Sequence, residues 1–154
     1  MHKTVNDIIA KKGRQKISVV TSYDYTMTTL CDQVDILLVG DSAGMVMLGY
    51  ENTAPVTMDQ MCMFTEAVSN GRQNALIVAD LPNKSYENEI DAVSNSKRLI
   101  GAGADAVKLE GRLPDVIMAI VKAGIPVMGH LGLLPQTAKR SEERRVGKEC
   151  RSRW

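Results

Sequence analysis

ILLVGD at residues 36–41, ALIVAD at 75–80 and AVKLE at 106–110 follow one plan: a short apolar run that ends on an acid. Near-continuous apolarity suits a strand covered on both faces, whereas a half-exposed strand alternates. ISVVTS at 17–22 and PVMG at 126–129 read the same way. Five strands are therefore predicted, over Ile17 to Ser22, Ile36 to Gly40, Ala75 to Asp80, Ala106 to Glu110 and Pro126 to Gly129. Amphipathic stretches of about 10 to 15 residues separate them, the pattern of successive βα units around a parallel sheet.

Helix signals fill the gaps. Thr57 and Gln60 make a Thr-x-x-Gln capping box ahead of Met58, Met61, Cys62, Thr65 and Val68, which share a mainly apolar face, and Gly71 is placed to supply a left-handed C-cap. Glu87 to Ile100 has helical period and ends at Gly101. Pro114 suits a first helical position, Val116, Ile117, Ile120 and Val121 form a predicted buried stripe, and Gly124 with Pro126 stops the helix.

Composition narrows the class. Of 154 residues, 44% are hydrophobic and 24% charged, which excludes a disordered chain, and the 4% of aromatics points to an aliphatic core of the α/β kind. A net charge of +1 offers no general attraction for nucleic acid or an anionic membrane, so the expected partner is a small molecule. No apolar run approaches the roughly 18 residues of a membrane span, and MHKTVNDIIAKKG lacks the core of a signal peptide, so a cytoplasmic location is expected. Cys31, Cys62 and Cys150 form no CxxC pair and suit a reducing compartment.

Past Lys139 the character changes. Residues 140–154 hold six basic and three acidic side chains, a net +3, which leaves about −2 over residues 1–139. The segment is expected to be a basic, solvated or artefactual tail appended to a catalytic domain over 1–139, with an RNA-binding arm as the alternative.

The acids Asp41, Asp80 and Glu110 all fall at predicted strand carboxyl ends, where parallel α/β folds gather their catalytic groups. Taken singly, each aspartate suits a helix cap as well as a ligand. Taken together, three carboxylates without a neighbouring His or Cys suit Mg²⁺ better than zinc. Lys108 shares a strand face with Glu110, either as a structural ion pair or as a binder of substrate carboxylate. His130 also lies at a strand end and reads equally as a structural group. Gly-Asp-Ser-Ala-Gly at 40–44 offers small residues and backbone N–H groups for close ligand approach.

The chain also resembles a known family. TSYDY at 21–25, LVGDS at 38–42, PVT at 55–57, ADLP at 79–82, VKLEG at 107–111 and GHLG at 129–132 with Pro135-Gln136 are similar, in order and spacing, to ketopantoate hydroxymethyltransferases. The resemblance implies a (β/α)8 TIM barrel of the phosphoenolpyruvate/pyruvate type, here expected to stop after about five βα units, in a family that assembles as decamers. It implies transfer of a hydroxymethyl group from 5,10-methylenetetrahydrofolate to 3-methyl-2-oxobutanoate, giving 2-dehydropantoate. By position it implies Asp41, Asp80 and Glu110 as Mg²⁺ ligands, and Asp41, Ser42, Asp80 and Lys108 around the oxo acid, with Lys108 as the catalytic cation. The family's proton-accepting glutamate is not matched, so the chain is expected to be short of a base. Asn83-Lys84 and Arg112 depart from the family pattern beside the site. A related 2-oxo acid lyase or mutase, or a non-catalytic half-barrel, are the alternative readings.

Overall fold

The computed structural model describes residues 2–136, so the predicted tail and Cys150 lie outside the described residues. Five strands form one parallel sheet: β1 (Val19–Thr21), β2 (Ile36–Val39), β3 (Leu76–Asp80), β4 (Ala106–Glu110) and β5 (Val127–His130). Their order in space is their order in sequence. Each prediction lands on a strand, with ends shifted by at most two residues. The expectation of full burial holds for β3 and nearly for β2 and β4, where Leu38 and Lys108 are half-buried, but not for β1 or β5. Those two pair on one side only, and Val19 remains 49% exposed.

The alternation of side chains along each strand divides the sheet into two faces. Leu37, Val39, Ile77, Ala79, Val107 and Leu109 point one way, into the main core. Over them lie α4 (Met58–Gly71), α5 (Glu89–Gly101) and α6 (Pro114–Lys122), through Met61, Phe64, Val68, Leu99, Val116 and Ile120. Ile36, Leu76, Val78 and Ala106 point the other way and form a second, smaller cluster, against which Val5 and Ile8 of α1 (Val5–Ala10) pack. The remaining helices are α2 (Tyr25–Cys31) and α3 (Ala43–Met47).

The capping box at Thr57 forms as read, with the Gln60 amide returning to the Thr57 backbone. Two helix details differ. Gly71 is the last helical residue and not a left-handed cap; a Cβ there would stand 2.8 Å from the Tyr25 carbonyl oxygen, so the glycine serves the close crossing of α2 and α4. Val121 is 54% exposed, because the buried stripe of α6 runs through Val116 and Ile120 alone, with Ile117 at its margin.

The short helices α1, α2 and α3 have no counterpart in the sequence reading. α1 buries no residue fully and α2 only Thr28, so no apolar period announces them. Their caps were the available signal: Thr4 with Asp7 closes a capping box on α1, and Asp24 Oδ1 accepts from the Met27 N–H at the start of α2.

Candidate active site

The same alternation that buries Ile77 and Val107 beneath the helices turns Asp80, Lys108, Glu110 and His130 to the opposite face, at the carboxyl end of the sheet. Register then selects partners, setting Asp80 beside Lys108 and Glu110 beside His130. Lys108 Nζ donates to Asp80 Oδ1 at 2.7 Å, and His130 Nδ1 lies 3.2 Å from Glu110 Oε1. Lys108 and Glu110 do share a face, but neither pairs with the other. Alternate residues stand about 6.6 Å apart along a strand, whereas a neighbouring strand is only about 4.8 Å away.

Asp41 arrives from the turn after β2. Its backbone N–H donates to Asp80 Oδ2 at 3.3 Å, and its side chain caps no helix. Gly40 makes the approach feasible: a Cβ there would meet Ser42 Oγ at 2.8 Å and the Asp80 carboxylate at 3.6 Å. Ser42 opens α3 without capping it, and its hydroxyl instead lies 2.8 Å from the Tyr23 hydroxyl. The sequence reading gave Tyr23 no role, and it is the residue that fixes Ser42.

Gln136 stands out in the sequence only as part of a family motif, yet it ties the centre together. Its Nε2 donates to Asp41 Oδ2 at 2.8 Å and to the Leu81 carbonyl at 2.9 Å, while its backbone N–H reaches Glu110 Oε2 at 3.2 Å. Its Oε1 accepts from the buried Tyr86 hydroxyl. One residue thus joins the ends of β2, β3 and β4, a role invisible to periodicity because Gln136 lies in the turn after β5.

All three acids are buried. Burial and the neighbouring Asp80 charge push the Asp41 carboxyl above the usual range. Burial also raises Asp80, outweighing the opposing pull of Lys108. The Tyr86 hydroxyl is pushed up to about 12, again chiefly by burial, so it stays protonated as a donor. Beside Asp41 the Thr53 hydroxyl is buried without a well-formed hydrogen bond to any described residue.

These observations bear on the expected metal. Among the described residues, no three His, Cys, Asp or Glu side chains stand close enough together to hold an ion between them. Two buried carboxylates with raised pKa values, and an orphaned hydroxyl beside them, do suit Mg²⁺, which commonly takes one or two carboxylates and fills its remaining positions with water and substrate.

Residues 2–153 match the family model for ketopantoate hydroxymethyltransferase. The chain belongs to that family. Among ketopantoate hydroxymethyltransferase relatives, the 3-methyl-2-oxobutanoate hydroxymethyltransferase of Nitrosopumilus maritimus is 65% identical over 152 residues, covering 95% of this chain and 54% of the relative. That of Cenarchaeum symbiosum is 59% identical over 138 residues, covering 88% of this chain and 53% of the relative. The chain therefore spans about half the length of the curated relatives it matches. The fold is shared more widely than the sequence. A phosphonopyruvate hydrolase solved with oxalate and Mg²⁺ superposes with a TM-score of 0.70 at 14% identity, covering 97% of this chain and 60% of that one. A 2,3-dimethylmalate lyase of the PEP mutase/isocitrate lyase superfamily gives 0.64 at 18% identity, with coverage of 94% and 58%. The family's barrel architecture thus accounts for the five-stranded parallel sheet.

Proposed function

We infer that this chain carries the oxo acid half of a 3-methyl-2-oxobutanoate hydroxymethyltransferase site, in which a one-carbon unit from 5,10-methylenetetrahydrofolate is added to the substrate to give 2-dehydropantoate. The observation that carries the reading is the shielded Lys108–Asp80 pair at the strand ends, with Asp41 against it. A lysine held there by one carboxylate is poised to meet a second, and a 2-oxo acid brings one.

Asp41 and Asp80 would hold Mg²⁺, while Glu110, the third acid expected as a ligand, is engaged by His130 and by the Gln136 backbone N–H. When bound, the ion supplies Lewis-acid polarisation of the substrate's keto group, which eases loss of the C3 proton. The other tasks belong to the protein. Lys108 neutralises the substrate carboxylate while remaining anchored to Asp80. Ser42, fixed by Tyr23, presents a hydroxyl to the oxo acid from the β2 side. Gln136 holds the Asp41 carboxylate in place by donating to one of its oxygens. Tyr86 orients that amide from behind.

Calorimetric titration of 3-methyl-2-oxobutanoate into the purified chain, with and without Mg²⁺, tests this reading. Mg²⁺-dependent binding that disappears in Asp80→Asn and weakens at least tenfold in Lys108→Met is expected. Binding indifferent to both Mg²⁺ and Asp80 would overturn it.

A further inference from the structure

Among the described residues, two side-chain hydroxyls are sealed from solvent without a well-formed hydrogen bond, those of Thr53 and Ser96. Burying a hydroxyl unpaired costs stability, so each calls for a reason. Ser96 sits within α5, where the carbonyls of the preceding turn are within a rotamer's reach. Thr53 has no helix around it. It lies in the loop between α3 and α4, is 4% exposed, and stands beside the Asp41 carboxylate. Neither the strand-end pattern nor the family motifs mark it.

The loop is anchored on both sides of Thr53. The Asp41 carbonyl accepts the Gly44 N–H at 3.0 Å, and the Gly44 carbonyl accepts the Tyr50 N–H at 2.9 Å. Tyr50 and Val56 close over Gly44 so tightly that a Cβ there would meet Val56 Cγ2 at 2.4 Å and Tyr50 Cδ2 at 2.9 Å. Gln60 of α4 donates to the Tyr50 hydroxyl at 2.8 Å, while its Oε1 accepts the Thr57 N–H at 2.9 Å. Between these anchors the Thr53 carbonyl accepts the Val56 N–H at 3.1 Å. The backbone of Thr53 is thus fixed relative to Asp41, and its hydroxyl is the part left free to turn.

Gln136 Nε2 donates to Asp41 Oδ2, which leaves Oδ1 without a well-formed hydrogen bond from any described residue. The torsion that turns an aspartate carboxylate is soft, so a small rotation brings an oxygen into line with a fixed hydroxyl. We propose that Thr53 is a positioning residue of the centre: when Asp41 turns to take Mg²⁺, the Thr53 hydroxyl donates to its carboxylate, in addition to Gln136, and fixes the ligand's orientation. This rests on the reading of Asp41 and Asp80 as Mg²⁺ ligands and adds to it the group that sets one of them. A buried hydroxyl that gains its hydrogen bond only in the loaded centre favours that state over the empty one. Thr53 therefore tightens metal binding and weakens the metal-free fold.

Calorimetric titration of Mg²⁺ into the purified chain, with no substrate present, tests the proposal in the parent, Thr53→Val and Thr53→Ser. Valine keeps the shape and removes the hydroxyl, whereas serine keeps the hydroxyl. Thr53→Val is expected to bind Mg²⁺ about tenfold more weakly, the lower end for groups that orient metal ligands, and Thr53→Ser to bind it as the parent does. In melting curves taken in EDTA, Thr53→Val is expected to unfold at a higher temperature than the parent, since the unpaired hydroxyl is gone. A merely structural threonine would give the opposite pair, a lower melting temperature with Mg²⁺ affinity unchanged. Thr53→Val binding Mg²⁺ as tightly as the parent would overturn the role of Thr53 and leave the Mg²⁺ reading intact. Weak binding by both variants, with both melting early, would also overturn it, by making Thr53 a packing residue. If the parent itself binds no Mg²⁺, the reading of Asp41 and Asp80 fails, and this inference with it.

Discussion

Lys108 reaches Asp80 with 14% of its side chain exposed, and Asp80 keeps 6%, so removing the cation strands a carboxylate in a shielded place. Breaking one side of a buried ion pair costs about 3 kcal/mol or more. Urea unfolding of Lys108→Met is expected to show a loss of that order, and a loss below about 1 kcal/mol would mean that water reaches Asp80 freely. Gln136 offers a sharper contrast. Gln136→Leu leaves Asp41 and the Tyr86 hydroxyl each short of a partner, which should cost about 2 kcal/mol. Gln136→Glu keeps the shape but sets a third charge against Asp41, so it should unfold at lower urea than the leucine variant. The reverse ranking would show that shape, and not hydrogen bonding, is what Gln136 provides. Residues of this kind divide what could be read in advance from what could not. Asp41, Asp80, Lys108 and Glu110 were legible because strand ends in an α/β pattern are where chemistry gathers. Tyr23, Tyr86 and Gln136 act through contacts between segments 19 to 95 residues apart, and no local pattern records such a contact.

At the level of elements, β2, β3 and β4 were plain in the sequence because burial on both faces leaves an unbroken apolar run. The helices α4, α5 and α6 were plain because each lays one stripe on the sheet. Glycines show the limit of that reading. Gly101 and Gly103 both look like helix terminators, yet a Cβ at Gly101 would meet nothing, whereas at Gly103 (φ +104°) it would stand 2.1 Å from Ser69 Oγ. Gly101→Ala should therefore raise stability by about 0.5 kcal/mol, since it removes freedom from the unfolded chain at a helical position. Gly103→Ala should lower it by more than 1 kcal/mol, through both backbone strain and the clash with α4. Thermal melts of the two variants against the parent check the pair, and shifts of the same sign would refute it. Asp32, just past α2, is another feature that sequence alone conceals. Its carboxylate accepts the backbone N–H groups of Gln73, Asn74 and Ala75 and so clamps the turn into β3. Burial pulls its pKa up, but those hydrogen bonds prevail and hold it below the usual value.

Across the whole molecule, acid should find its weak point at the amino-terminal end of the sheet. Asp35 binds Lys11 at 2.6 Å, Lys3 at 3.4 Å and the Ser18 N–H at 3.0 Å, and the Lys11 bond is the main reason its carboxyl lies well below the usual range. Because the folded pKa is depressed, the unfolded chain takes up this proton first. The stabilisation is therefore complete above the ordinary carboxylate pKa of about 3.9 and fades as pH falls through and below it. Asp35→Asn should melt below the parent at pH 7, and the gap should narrow as pH drops under 4; a gap that stays constant would mean that the charge is not its source. The strand order has a consequence of another kind, in time. Every strand pairs with its predecessor in sequence, so each sheet contact closes a loop of 17 to 40 residues and none spans the whole chain. A chain laid out this way need not wait for its far end. As it leaves the ribosome, each βα unit meets the edge left open by the one before, and the sheet can lengthen by accretion in the direction of synthesis.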